Sequence, residues 1–158
     1  MKRELLALLV FAFLPLTSEA FVFKKIVYCS PIEGVVHWAG KPLADVTVTR
    51  ELYSGGFKNN KYEDRATTTT NGKFGFAVVE ERRLFRPDLL SSSPSVAQII
   101  SLSYEGIRYG IWAFNKLDYL PGTESIGGFL KLNCDLSKFE EDSDGRTVRC
   151  SHNGVRQP

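Results

Sequence analysis

From Gly34 onward, apolar and polar residues alternate with a period of two, and the alternation is cut repeatedly by turn residues. That pattern predicts strands with one buried face. Gly34-Val35-Val36-His37-Trp38 is a short β-rich run, and Ala39-Gly40-Lys41-Pro42 predicts a turn. Ala44, Val46 and Val48 then alternate with Asp45, Thr47 and Thr49, giving an apolar and a polar face. Residues 54–60 read as a loop, and 62–70 as a polar strand ending in four β-branched threonines. Asn71-Gly72 predicts a hairpin, because both residues tolerate the positive φ of a type I′ turn. Phe74, Phe76 and Val78 resume the alternation.

Residues 80–95 break it. Leu84-Phe85 and Leu89-Leu90 flank Arg86-Pro87-Asp88, and Ser91-Ser92-Ser93-Pro94 follows, which predicts a loop with a helical turn near Pro87. Val96, Ile100, Leu102 and Tyr104 predict another strand, and Glu105-Gly106 a turn. In residues 108–114, Tyr109, Ile111 and Ala113 fall on one side, Trp112 and Phe114 on the other. A loop rich in Gly, Pro and Ser covers 117–128. The last expected strand is 129–136, with Leu130, Leu132, Cys134 and Leu136 in phase. About seven strands with short links and no long helix predict an all-β fold, an antiparallel β-sandwich of transthyretin-like or Ig-like type.

The first twenty residues follow another pattern. Lys2 and Arg3 precede the apolar run Leu5 to Leu14, which is too short to span a bilayer of roughly 30 Å as a helix. Pro15 breaks the run, and Ser18 and Ala20 fit the small-x-small exit of a signal peptide. The expected organisation is a signal-peptide helix over 1–20 cut after Ala20, a sandwich domain over 21–136, and a polar tail over 137–158. A periplasmic or secreted location follows. Cys29, after Tyr28 and beyond Lys24-Lys25, is a poor lipidation site, and there is no Asn-x-Ser/Thr sequon. The mature chain has no further run long enough to span a membrane.

Export makes the three cysteines matter. Cys134 and Cys150 enclose a polar, weakly periodic segment, and a bridge there would hold the tail on the domain. Cys29–Cys134 is the rival pairing, and either choice leaves one thiol over. No C-x-x-C zinc spacing occurs.

The motifs carry a resemblance. Gly40-Lys41-Pro42-Leu43-Ala44-Asp45-Val46-Thr47-Val48, followed by Thr68-Thr69-Thr70-Asn71-Gly72-Lys73-Phe74-Gly75-Phe76, resembles the carboxypeptidase-regulatory-like, or transthyretin-like, β-sandwich domains. Asp45 stands where that pattern has glycine, and the turn before Phe74 is shortened. The chain down to Leu132-Asn133-Cys134-Asp135-Leu136 is also similar to a small exported bacterial family without an established activity. The resemblance implies a fold and no reaction.

Composition narrows the functions. Among 158 residues, 20 basic and 18 acidic side chains give a net charge of +2, too small to imply a nucleic-acid partner. His37 and His152 are the only imidazoles. Neither G-x-S-x-G nor H-E-x-x-H occurs, so a small hydrolase is only a remote alternative. Glu140, Asp142, Asp144 and Gly145 imitate the start of a calcium loop, but position twelve would be Ser151, so a solvated acidic tail is expected. No cofactor is implied. The leading expectation is a non-enzymatic module that binds another protein, for which an immunity protein against a periplasm-acting effector is one specific version. Envelope assembly or adhesion through edge-strand pairing is the alternative. Arginines and aromatics dominate interface hot spots, which marks Arg82, Arg83 and Arg86 around Phe85, with Phe57 and Tyr119 on Gly-rich loops, as contact candidates.

Overall fold

A computed structural model describes residues 23–85, 87, 94–143 and 145–155. The signal-peptide reading of 1–20, Arg86 and the turn expected at 87–93 lie outside the described residues, apart from Pro87 itself. In chain order the strands are β1 (Lys24–Cys29), β2 (Ile32–Trp38), β3 (Lys41–Pro42), β4 (Thr47–Tyr53), β5 (Lys61–Thr67), β6 (Lys73–Phe76), β7 (Val79–Arg83), β8 (Val96–Tyr104), β9 (Ile107–Lys116), β10 (Leu130–Asp135), β11 (Phe139–Asp142), β12 (Gly145–Val148) and β13 (Ser151–His152). The fold is all-β, and a 3-10 turn at Lys58–Asn60 precedes β5.

Two sheets face each other across the core. One runs β13-β10-β2, with β3 and β6 sharing the far edge of β2; the other runs β11-β12-β9-β8-β4-β5. A two-stranded ribbon, β1-β7, completes the molecule. Most pairs are antiparallel, but β10 pairs β2 in parallel, as does β12 with β9. Alternation explains the layers: Ile32, Val36, Leu130, Leu132 and Phe76 are buried from the first sheet, and Val48, Leu52, Val96, Ile100 and Leu102 from the second. Gly34 lies directly under the Phe74 ring, in space a Cβ would fill.

Several expectations change. Asn71-Gly72 does not join a paired hairpin. Thr69 and Lys73 close the turn through one backbone bond of 2.8 Å, yet β5 pairs with β4 and β6 with β2. The turn carries the chain from one sheet to the other, because buried Thr68 is held to Val46 by its backbone and its hydroxyl. Two-residue hairpin turns form instead at Ala39-Gly40 (φ 47° and 80°), where Trp38 faces Lys41, and at Glu105-Gly106 (φ 52° and 76°), where Tyr104 faces Ile107. Asp45 has φ 58°, a conformation that favours glycine and that Asp tolerates. In β9 a register shift opposite Ile100 and Ser101 turns the side chains over, so Ala113 is exposed while Trp112, Phe114 and Lys116 face inward.

Residues 80–83, expected in a loop, belong to β7. The expected polar tail contributes β11, β12 and β13, which join both sheets. Cys134 and Cys150 are disulfide-bonded, pinning the end of that segment to β10. Cys29 is a buried free thiol.

Candidate interaction surface

Three of the contact candidates converge on one buried residue, Tyr28 of β1. The Phe57 ring packs 4.3 Å from the Tyr28 ring, centroid to centroid, and Tyr119 meets it edge-on at 5.7 Å. The Tyr28 hydroxyl donates to Glu81, and Arg83 pairs with the same carboxylate at 2.6 Å while donating to the Gly56 carbonyl at 2.9 Å. Burial and then the Glu81 carboxylate push the Tyr28 phenol far up, so it stays a donor. Tyr119 is buried, and Phe57 is half-buried between Tyr28 and Tyr62. Their placement as free loop contacts is therefore corrected: Gly-rich flanks let these loops fold back, and the apolar rings are taken into the core. Arg83, half-buried, ties β7 to the Phe57 loop.

Arg82 and Phe85 remain outside. Arg82 is exposed opposite Lys25, and Phe85 is 69% exposed just past β7. The pairing of Lys24 with Arg83 brings Phe23 (57% exposed) beside Leu84 (39% exposed) at the same end of the ribbon. On the other edge of β1, Val27 donates to the Tyr119 carbonyl at 3.0 Å, and exposed Leu117 and Leu120 flank Tyr119. Exposed apolar side chains thus collect at this ribbon, with Arg82 among them.

Beneath lies a buried polar cluster. Lys116 and Glu124, each with a side chain 1% exposed, form an ion pair of 2.9 Å. Glu124 also accepts from the Ser30 N–H at 2.6 Å and from Gln98 at 3.3 Å, and Lys116 donates to the Leu120 carbonyl at 2.5 Å. Burial alone would raise the Glu124 pKa, but the Ser30 N–H and the Lys116 ammonium outweigh it and hold the carboxyl below its ordinary range. The cluster fixes loop 117–128 against β1, β8 and β9. A second buried cation, Arg50, holds Asp64 through two bonds of 2.9 and 2.6 Å, donates to the Ala77 carbonyl at 2.8 Å and lies over the Phe76 ring. It approaches the Cys29 sulfur at 3.7 Å. Burial nevertheless pushes that thiol up to about 11. Sequence reasoning missed Arg50, Gln98, Lys116 and Glu124. Arg50 did leave a signal, since it falls in phase with Val46, Val48 and Leu52.

A separate groove of about 850 Å³ lies on the outer side of β6, β2, β10 and β13. Lys73, Glu33, Lys131 and Asn133 stand around Val35 and Gly75 there. Its mixed charges select no single ligand charge. His37 is half-buried on β2. His152 sits edge-on to Trp112 at 4.8 Å and accepts from the Gly154 N–H at 3.1 Å. Glu140 and Glu141 are paired with Arg149 and Arg146. Among the described residues, no three His, Cys, Asp or Glu side chains lie together as metal ligands would.

The geometry is that of a β-sandwich whose candidate residues divide between core supports and an exposed apolar edge. Residues 32–139 match the domain of unknown function DUF6795, and the chain belongs to that family. No curated protein matches the chain.

Proposed function

We propose that the protein is an exported, non-enzymatic binding module that contacts another protein through the β1-β7 ribbon, around Arg82, Leu84, Phe85 and Phe23. The carrying observation is the exposure of these apolar side chains side by side at one end of the ribbon. Such clusters mark interaction sites more often than isolated exposed residues do. A disulfide suits an oxidising location, and the opening twenty residues read as a cleaved signal, so the proposed address is the periplasm or the medium. An immunity protein against a periplasm-acting effector is the specific form of this reading. The sandwich itself reads as carboxypeptidase-regulatory-like; Asp45, which stands where that motif has glycine, has φ 58°, in the left-handed region that glycine occupies without strain, and this supports the reading. The test is capture of a partner from periplasmic and competitor-cell extracts by the wild-type chain and by Arg82→Ala/Phe85→Ala. A partner held by the wild type and released by the folded double variant supports the reading. No partner, or equal retention, overturns it.

A further inference from the structure

We infer that the open edge of β5 is a self-association surface, on which β5 of a second copy pairs antiparallel about Asp64. β5 has seven residues and, among the described residues, pairs only with β4, so its other edge offers backbone groups that no described strand pairs. It is the longest open edge among the described residues. β3 and β13 have two residues each, β11 carries three acidic residues in four, and β7 is shorter.

Charge selects the occupant. On the outer face, charges of alternating sign run Arg108, Glu51, Lys61, Glu63, Arg65. Arg108–Glu51 is 2.9 Å, Glu51–Lys61 2.6 Å, Lys61–Glu63 2.9 Å and Glu63–Arg65 2.8 Å. The ladder ends on the open edge. Antiparallel pairing about Asp64 sets Glu63 opposite Arg65 of the second copy and Arg65 opposite its Glu63. Lys61 then faces Thr67, and Tyr62 faces Ala66. On the inner face the two Asp64 carboxylates meet, each already neutralised by its own Arg50. A shift to Glu63 as centre opposes Glu63 to itself and Lys61 to Arg65; a shift to Arg65 opposes Arg65 to itself. Like charges directly opposite are destabilising. A one-residue slip sets outer-face residues against inner-face ones. A shift to Tyr62 also sets opposite charges together, Lys61 against Glu63, but it pairs only residues 61–63 of the strand. The register about Asp64 is the one that pairs all seven residues, it is complementary, and the occupant that satisfies it is another copy of this strand. This pairing does not rest on the ribbon surface of the proposed function.

Sedimentation equilibrium of the purified chain at low and high salt tests it. The expected result is a dimer that weakens with salt. Glu63→Arg and Arg65→Glu should each weaken it by about tenfold or more, because each turns two attractive contacts into repulsive ones. The double swap Glu63→Arg/Arg65→Glu restores the pairs and should return the affinity to within about threefold of wild type. Amide exchange on the wild-type chain gives a second reading, free of any folding defect: protection over 61–67 should rise with protein concentration. A monomer up to about millimolar concentration, wild-type affinity in Glu63→Arg, a double swap that stays as weak as the singles, or protection independent of concentration would each overturn the proposal.

Discussion

A carboxylate buried beside an ammonium stabilises a fold only while both are charged. Glu124 is held below its ordinary value of 4.5 by the Ser30 N–H and Lys116, against the pull of burial. Its folded pKa is therefore lower than its unfolded one. The stabilisation is complete above the unfolded value and disappears as pH falls through the folded one. The melting temperature should drop as pH falls below about 4.5. Glu124→Gln should flatten that drop and, at neutral pH, cost about 3–5 kcal/mol, because Lys116 is left buried without its counter-charge. Thermal melts over an acid series check both, and an unchanged acid slope in the variant would assign the effect elsewhere. Cys29 gives a second expectation at this scale. Its thiol is buried and pushed up to about 11 by that burial, and thiol reagents need an accessible thiolate. Labelling should be negligible in the native protein and reach one equivalent on unfolding; fast labelling at neutral pH would contradict this environment. Arg50 shows why such residues are hard to read from a chain. Its phase says "inward" and its charge says "outward", and only Asp64, fourteen positions away on the next strand, resolves the conflict.

Strands that alternate were legible as sequence. β4, β6 and β10 carry their apolar residues in phase, and those residues are buried. β7 and β11–β13 were not legible, because they have little apolar face of their own. Val79-Glu80-Glu81-Arg82-Arg83 becomes a strand by pairing with β1, and β12 by lying along β9. Tertiary context supplies what local pattern lacks. The bulge in β9 was hidden for a related reason, since one extra residue reverses the phase without altering composition. At this scale the disulfide acts on a whole segment. Cys134–Cys150 spans β11 and β12. Cys150→Ser should lower stability by about 2–5 kcal/mol, the usual loss when a native bridge is removed from a small domain. Amide exchange should show the change first in β11, β12 and β13, with β8 and β9 keeping their protection. Loss spread evenly over both sheets would mean that the segment is not an independent unit.

Across the whole molecule, apolar side chains must be divided between a core that holds the fold and a surface that meets others. Composition cannot show the division: Tyr119 and Phe85 both sit in irregular, polar stretches. The structure separates them, with Tyr119 against Tyr28 and Phe85 in solvent. Truncation should separate them by magnitude. Tyr119→Ala removes a buried ring packed edge-on against Tyr28 and should cost about 3–5 kcal/mol of folding. Phe85→Ala and Arg82→Ala remove exposed atoms and should shift stability by no more than about 0.5 kcal/mol. Binding should show the opposite order. An interface anchor lost to alanine costs about 2 kcal/mol or more, roughly thirtyfold in affinity. Chemical denaturation of each variant, followed by titration of the folded ones against the captured partner, measures both axes. If Phe85→Ala unfolds the protein as readily as Tyr119→Ala, the ribbon end is core. If it leaves both stability and affinity unchanged, the contact surface lies elsewhere on the molecule.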